Sequence, residues 1–109
     1  MPRFRDEKVY YAHRMVGRDG RARYEHASPS RRWVELHGIS APIVEVIVRE
    51  RADGDPANTE YWGWLRSGDD KFTMIWPSWD RFSMCFPYGV SVAEEQGRGR
   101  AHRLHVEEV

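Results

Sequence analysis

Lys71–Gly89 reads KFTMIWPSWDRFSMCFPYG. It carries nine large apolar or aromatic side chains: Phe72, Met74, Ile75, Trp76, Trp79, Phe82, Met84, Phe86 and Tyr88. Two prolines cut it into pieces. A strand is expected to run to Trp76, where Pro77, with no N–H to donate and a preset φ, ends it. Ser78 is placed to cap a helix by accepting an orphan N–H of the first turn. In a helix over Ser78–Phe86, the side chains of Trp79, Phe82, Ser83 and Phe86 share one face. Pro87 stops that helix, and Gly89 permits a positive φ. The segment reads as a core-building unit.

Upstream of it, Thr59–Arg66, TEYWGWLR, alternates as a strand. Trp62 and Trp64 point one way; Tyr61, Gly63 and Leu65 point the other. A glycine between two tryptophans suggests a bulge or the close approach of a ring from a neighbouring strand. Pro42–Arg51, PIVEVIVRER, is the clearest strand, with Val44, Val46 and Val48 alternating against Glu45, Ile47 and Arg49. Arg51–Asn58 is a turn-rich loop around Gly54 and Pro56. These three strands are expected to form a meander at the centre of a sheet.

At the start, residues 8–16, KVYYAHRMV, and 22–27, ARYEHA, read as a hairpin across Gly17-Arg18-Asp19-Gly20. Val9, Tyr11, His13 and Met15 would share one face of the first strand. Ala22, Tyr24 and His26 would share one face of the second. Ser28-Pro29-Ser30 suits the start of a short helix, RRWVELHG, ending at Gly38, with Trp33, Leu36 and His37 on one face. A strand over Trp33–His37 is the competing reading, because Trp and Val favour strands. Downstream, Val90–Gln96 reads as a second short helix with Gly97 at its C-terminal cap. Residues 100–108 form a closing strand, with His102, Leu104 and Val106 opposite Ala101, Arg103 and His105. The expected fold is one α+β domain: a mostly antiparallel sheet of about five to six strands with two or three short helices packed on one face.

Composition narrows the function classes. The chain of 109 residues suits one domain and one modest core. No apolar run approaches the roughly 18 residues of a membrane span. The opening MPRFRDEKVYY lacks an apolar leader, and the single cysteine, Cys85, excludes an internal disulfide. A cytoplasmic protein is the expectation. The basic residues are 15 arginines with only Lys8 and Lys71, a bias that GC-rich coding explains more simply than function. Net charge is zero but unevenly spread. Residues 1–33 hold nine basic and four acidic groups, and the remainder eight and thirteen, so the two parts carry +5 and −5.

Candidate chemistry is thin. Of five histidines, His102 and His105 lie on opposite faces of one strand and cannot share a metal there. His13 and His26 can meet across the first hairpin, but no third ligand is in evident reach. Cys85, between Met84 and Phe86, reads as inert core rather than as a nucleophile. Glu94-Glu95 and Glu107-Glu108 are adjacent acids whose side chains diverge, so they read as solvated charge. Gly97-Arg98-Gly99-Arg100 follows a helix and opens a strand, the reverse of a phosphate loop. The aromatic set is the best lead: Trp62 and Trp64 beside Arg66 could form a binding face, although core packing accounts for most such rings.

The pattern Trp62-x-Trp64, the run MIWPSWDRFSMCFPYG, Glu95-x-Gly97-x-Gly99 and Arg103-x-x-Val106 resemble an uncharacterised small-protein family of actinobacteria and their phages. The likeness covers the second half of the chain. Its most distinctive pieces are Pro77-Ser78 and Cys85-Phe86-Pro87-Tyr88-Gly89. The resemblance implies an intracellular accessory protein and carries over no catalytic residue and no cofactor.

Three functional expectations follow. The first is a non-enzymatic interaction module acting through protein contacts or self-association. A homodimer is expected because a small open sheet leaves edges that pairing would cover. The second is a nucleic-acid-binding module using Arg3, Arg5, Arg14, Arg18, Arg21, Arg23, Arg31 and Arg32. The third is a small enzyme built on His13, His26 or Cys85.

Overall fold

The computed structural model describes residues 7–38 and 40–109; Arg3 and Arg5 of the basic set lie outside them. The chain runs β1 (Lys8–Val16), β2 (Ala22–Ser28), α1 (Arg31–Glu35), β3 (Ile43–Glu50) and a 3₁₀ turn at Ala57–Thr59. It continues through β4 (Glu60–Arg66), β5 (Phe72–Pro77), α2 (Trp79–Ser83), α3 (Val90–Glu95) and β6 (Gly99–Glu108). The strands are antiparallel and close into a barrel in the order β1-β2-β5-β4-β6-β3.

The expected α+β sheet with helices on one face is therefore wrong. Strand positions follow from local alternation, but strand neighbours do not. β3 does not pair with β4. It pairs instead with β1, Tyr10 opposite Val46, and with β6, Val48 opposite Val106. The expected meander of β3, β4 and β5 shrinks to the β4–β5 hairpin. Closure also removes the free edges on which the homodimer expectation rested.

Two bulges help the wall to curve. Between Tyr11↔Ser28 and His13↔Glu25, β2 takes three steps for two on β1. His26 sits in that extra length with φ +57, a left-handed conformation uncommon for a non-glycine residue. Between Trp64↔Met74 and Leu65↔Phe72, β5 takes two steps for one on β4. The β2 bulge overturns the expected facing of that strand: after Tyr24 it is Ala27, not His26, that joins the interior.

The barrel is filled by its own side chains, as a six-stranded one must be. Tyr10, Ala12, Tyr24, Ala27, Val46, Val48, Tyr61, Phe72, Ile75, Leu104 and Val106 form this core, with Leu65 packed against it. A second apolar layer lies outside the wall. Trp62 and Trp64 from β4, Met74 and Trp76 from β5, and Ala101 from β6 are covered by Phe82, Phe86, Val90 and Ala93. β4 thus has apolar residues on both faces, Tyr61 and Leu65 inward, Trp62 and Trp64 outward, as its alternation indicates. Gly63 is where the ring approaches: a Cβ there would lie 2.8 Å from Phe72 Cδ1.

The helices are short and tightly terminated. Ser30, rather than Ser28, caps α1, its Oγ accepting from the Trp33 N–H at 3.3 Å. The helical reading of this segment holds, but its buried residue is Val34, while Leu36 is exposed. β5 extends one residue further than expected, through Pro77. Ser78 caps α2 by accepting from the Arg81 N–H, at φ +71. The helix then ends at Ser83, three residues short of Phe86. α3 closes with the Gly97 N–H donating to the Glu94 carbonyl and the Arg98 N–H to the Ala93 carbonyl, the paired bonds of a glycine-terminated helix.

Candidate functional site: the barrel mouth

The two ends of the barrel differ. At the end where β1 finishes and β2 begins, several polar groups pair within the chain. The Glu108 carboxylate accepts from Arg14 Nε and from the Tyr24 hydroxyl, each at 2.8 Å. Arg21 covers the Tyr61 ring at 5.4 Å and donates to the Asn58 and Glu60 carbonyls. Burial, then the bond to Glu108, push the Tyr24 hydroxyl's pKa upward.

The opposite end is a mouth. Residues opposite each other across a ladder share a face, so register shows which side chains point inward. Leu104 opposes Tyr61, His102 opposes Gly63 and Arg100 opposes Leu65. Climbing β6, the inner wall passes from apolar Leu104 through His102 to Arg100. On β3 the inward series Val46, Val48 ends at Glu50, opposite Leu104. Phe72 lies beneath: it is fully buried, 5.5 Å from the Tyr10 ring and edge-on to His102 at 6.3 Å. Gly63 provides the space that this ring fills.

Above this floor opens a cavity of about 1200 Å³, bordered by Glu50, Leu65, Arg66, Lys71, Arg100 and His102, with Asp69, Asp70 and Glu94 also on its lining. His102 Nδ1 stands 3.9 Å from Glu50 Oε1, too far for a hydrogen bond. Burial lowers the His102 pKa, with Glu50 opposing and Arg100 assisting. The imidazole is therefore neutral at neutral pH. Lys71 is held between Asp69 and Asp70 at 3.1 and 3.2 Å. Asp70 also helps raise the pKa of Tyr10, behind the larger effect of burial.

The residues singled out from sequence are dispersed. Trp64 is buried in the outer layer against Phe86 at 4.7 Å, and Trp62 packs edge-on to Trp79 at 4.6 Å. Arg66 borders the mouth. Arg14 and Arg21 are committed at the sealed end. Arg23 lies over the Trp76 ring at 4.7 Å, and Trp76 Nε1 donates to Glu25. Arg31 pairs with Glu35 one helical turn away. Arg32 is exposed on α1.

His13 and His26 do meet, with ring centroids 5.9 Å apart, and His37 stacks on His26 at 4.4 Å beside Trp33. Burial, and after it the neighbouring His37, lower the pKa of both His13 and His26. No group of three potential metal ligands with suitable geometry exists among the described residues. Cys85 is exposed, not core as expected: α2 ends before it and turns it outward. Local desolvation and Glu25 raise its thiol pKa, the wrong direction for a nucleophile.

Sequence reasoning missed Glu50, His102 and Arg100 as a set. The signal was the inward alternation itself, carried one or two steps past the last apolar residue on β3 and β6.

No family model matches the chain, and neither a curated protein nor a solved structure matches it.

Proposed function

We propose that this chain is a non-enzymatic interaction module that self-associates through the shoulder formed by α2 and α3. One observation carries the reading. Residues 79–92 expose Trp79, Met84, Tyr88 and Val92, with Met84 and Tyr88 more than four-fifths accessible. Large apolar side chains gathered on one exposed segment mark contact surfaces, and Trp and Tyr dominate such contacts energetically. A net charge of zero leaves no long-range repulsion between copies.

Two alternatives have less support. Nucleic-acid binding needs free cations on one surface, whereas Arg14, Arg21, Arg23 and Arg31 are held by carboxylates, carbonyls or rings of the same chain. A cysteine enzyme needs a base beside its thiol, and Cys85 makes its contact with the Arg81 carbonyl instead.

Sedimentation velocity from micromolar to millimolar protein tests the proposal. A dimer is expected to accumulate with concentration and to be abolished by the double substitution Met84→Asp and Tyr88→Asp, with the urea midpoint unchanged. A monomer throughout, or a dimer indifferent to the substitutions, refutes it.

A further inference from the structure

The mouth holds both paired and unpaired charges, and Lys71 is among the paired ones. Elsewhere Arg14 pairs with Glu108, Arg49 with Asp55, Arg51 and Arg103 with Glu60, and His105 with Glu107. At the mouth, Glu50 and His102 face each other without a hydrogen bond. Arg66 and Arg100 make no ion pair among the described residues. The Glu50 side chain is about one-third accessible and that of His102 less than one-fifth. A carboxylate and an imidazole so placed are partly shielded from water and share no hydrogen bond, which leaves both able to bind a polar ligand.

The chemistry of that ligand follows from the order of the groups. Glu50 lies at the level of Leu104, deep on the inner wall. Arg100 stands four residues above Leu104 along β6, about 13 Å at the usual strand rise, and its flexible side chain spans part of that distance. The deep charge is negative. At the rim, Asp69 and Asp70 are taken up by Lys71, and Glu94 accepts from the Ala101 N–H, while Arg66 and Arg100 carry positive charge outside any ion pair among the described residues. Leu65 supplies apolar surface between the deep charge and these two.

We propose that the barrel mouth binds a small zwitterion, with its ammonium group on Glu50 and its acid group on Arg100 and Arg66. His102 positions the ammonium by accepting a hydrogen bond from it beside the Glu50 carboxylate. Its neutrality matters, because an imidazolium there would repel the ammonium. Asp69 and Asp70 hold Lys71 back from the acid group, leaving the two guanidinium groups to define that end. The cavity is larger than an amino acid of ordinary size needs, so water completes the remaining contacts.

The test uses three probes of equal carbon length: γ-aminobutyrate, n-butylamine and butyrate. Amide chemical-shift titrations of the full chain give affinity and location together. Shifts are expected around residues 50, 65 and 102, with γ-aminobutyrate binding at least tenfold more tightly than either singly charged probe. Glu50→Gln should weaken γ-aminobutyrate and n-butylamine about tenfold and spare butyrate. Arg100→Gln should weaken γ-aminobutyrate and butyrate and spare n-butylamine. Three results overturn the proposal: no shifts at the mouth with γ-aminobutyrate at millimolar concentration, equal affinity for all three probes, or unchanged γ-aminobutyrate binding in a folded Glu50→Gln. The wild-type panel decides by itself if either variant fails to fold.

Discussion

Replacing Gly63 by alanine adds one methyl group to the barrel interior. Its carbon would lie 2.7 Å from Leu104 Cδ1, and 2.8 and 2.9 Å from Cδ1 and Cε1 of Phe72. Carbon atoms pack comfortably at about 3.5–4.0 Å, so these neighbours must retreat by the better part of an ångström. Both are fully buried, and the Phe72 ring is held between Tyr10 and His102. Overpacking of this kind costs about 1–3 kcal/mol. The smaller conformational freedom of alanine in the unfolded chain offsets about 0.4–1 kcal/mol. The net expectation is a destabilisation of about 1–2 kcal/mol, which for a domain of this length lowers the melting temperature by roughly 4–8 °C. Urea unfolding followed by tryptophan fluorescence measures it, with a lower midpoint and an unchanged slope expected. Phe72→Leu should cost less in the Gly63→Ala background than in the wild type, because the smaller side chain relieves the clash it otherwise leaves a void beside. A neutral or stabilising Gly63→Ala would refute the packing described here.

Gly99→Ala should be more damaging than Gly63→Ala, because its Cβ would meet the Leu65 backbone carbonyl at 2.5 Å, and a ladder strand has less room to give than side chains; equal urea midpoints for the two variants would contradict this. Stability should fall as pH drops below about 6.5, the ordinary histidine value. The folded state depresses the pKa of His13, His26 and His102, so the unfolded chain takes protons first, and the stabilisation present above that pH is lost progressively until the folded groups titrate. His26→Asn, which tolerates the positive φ, should flatten the profile of urea midpoint against pH; a wild-type profile that is level or rises on acidification would be inconsistent with these buried neutral rings. Cys85 should react fully with a thiol-specific chromogenic disulfide in the native protein, yet more slowly at neutral pH than a free thiol in a short peptide, since it is exposed with a raised pKa; complete protection, or faster reaction than the peptide, would overturn that placement.

What could be read from the residues was local. Alternation on β4 put Trp62 and Trp64 on one face and Tyr61 and Leu65 on the other, and a glycine between tryptophans marked the approach of a ring. Ser78 and Gly97 marked helix boundaries by their own chemistry, whereas Pro77, read as the end of a strand, lies within β5. Barrel closure was not legible, because pairing of β3 with β1 and β6 depends on contacts distant in sequence, and an amphipathic strand alternates alike in an open sheet and a closed one. The His26 bulge was equally hidden: a histidine at positive φ carries no mark that a glycine would, and it turned the remainder of β2 by one residue. Cys85 was misplaced because helix α2 was extended through it. The mouth was half visible. His102 was on the correct face with Leu104 and Val106, but Glu50 lay just past the valines of β3 and joined it only once the strands were neighbours.

Closure of the barrel is what turns Glu50, His102 and Arg100 into one site. Interstrand nuclear Overhauser effects around β3 test it most directly. Backbone contacts from Tyr10 to Val46 and from Val48 to Val106 are expected together, with β3 amides protected from exchange on both edges of the strand. Contacts on one side only, with fast exchange of the alternate β3 amides that face the other side, would mean an open sheet and no mouth.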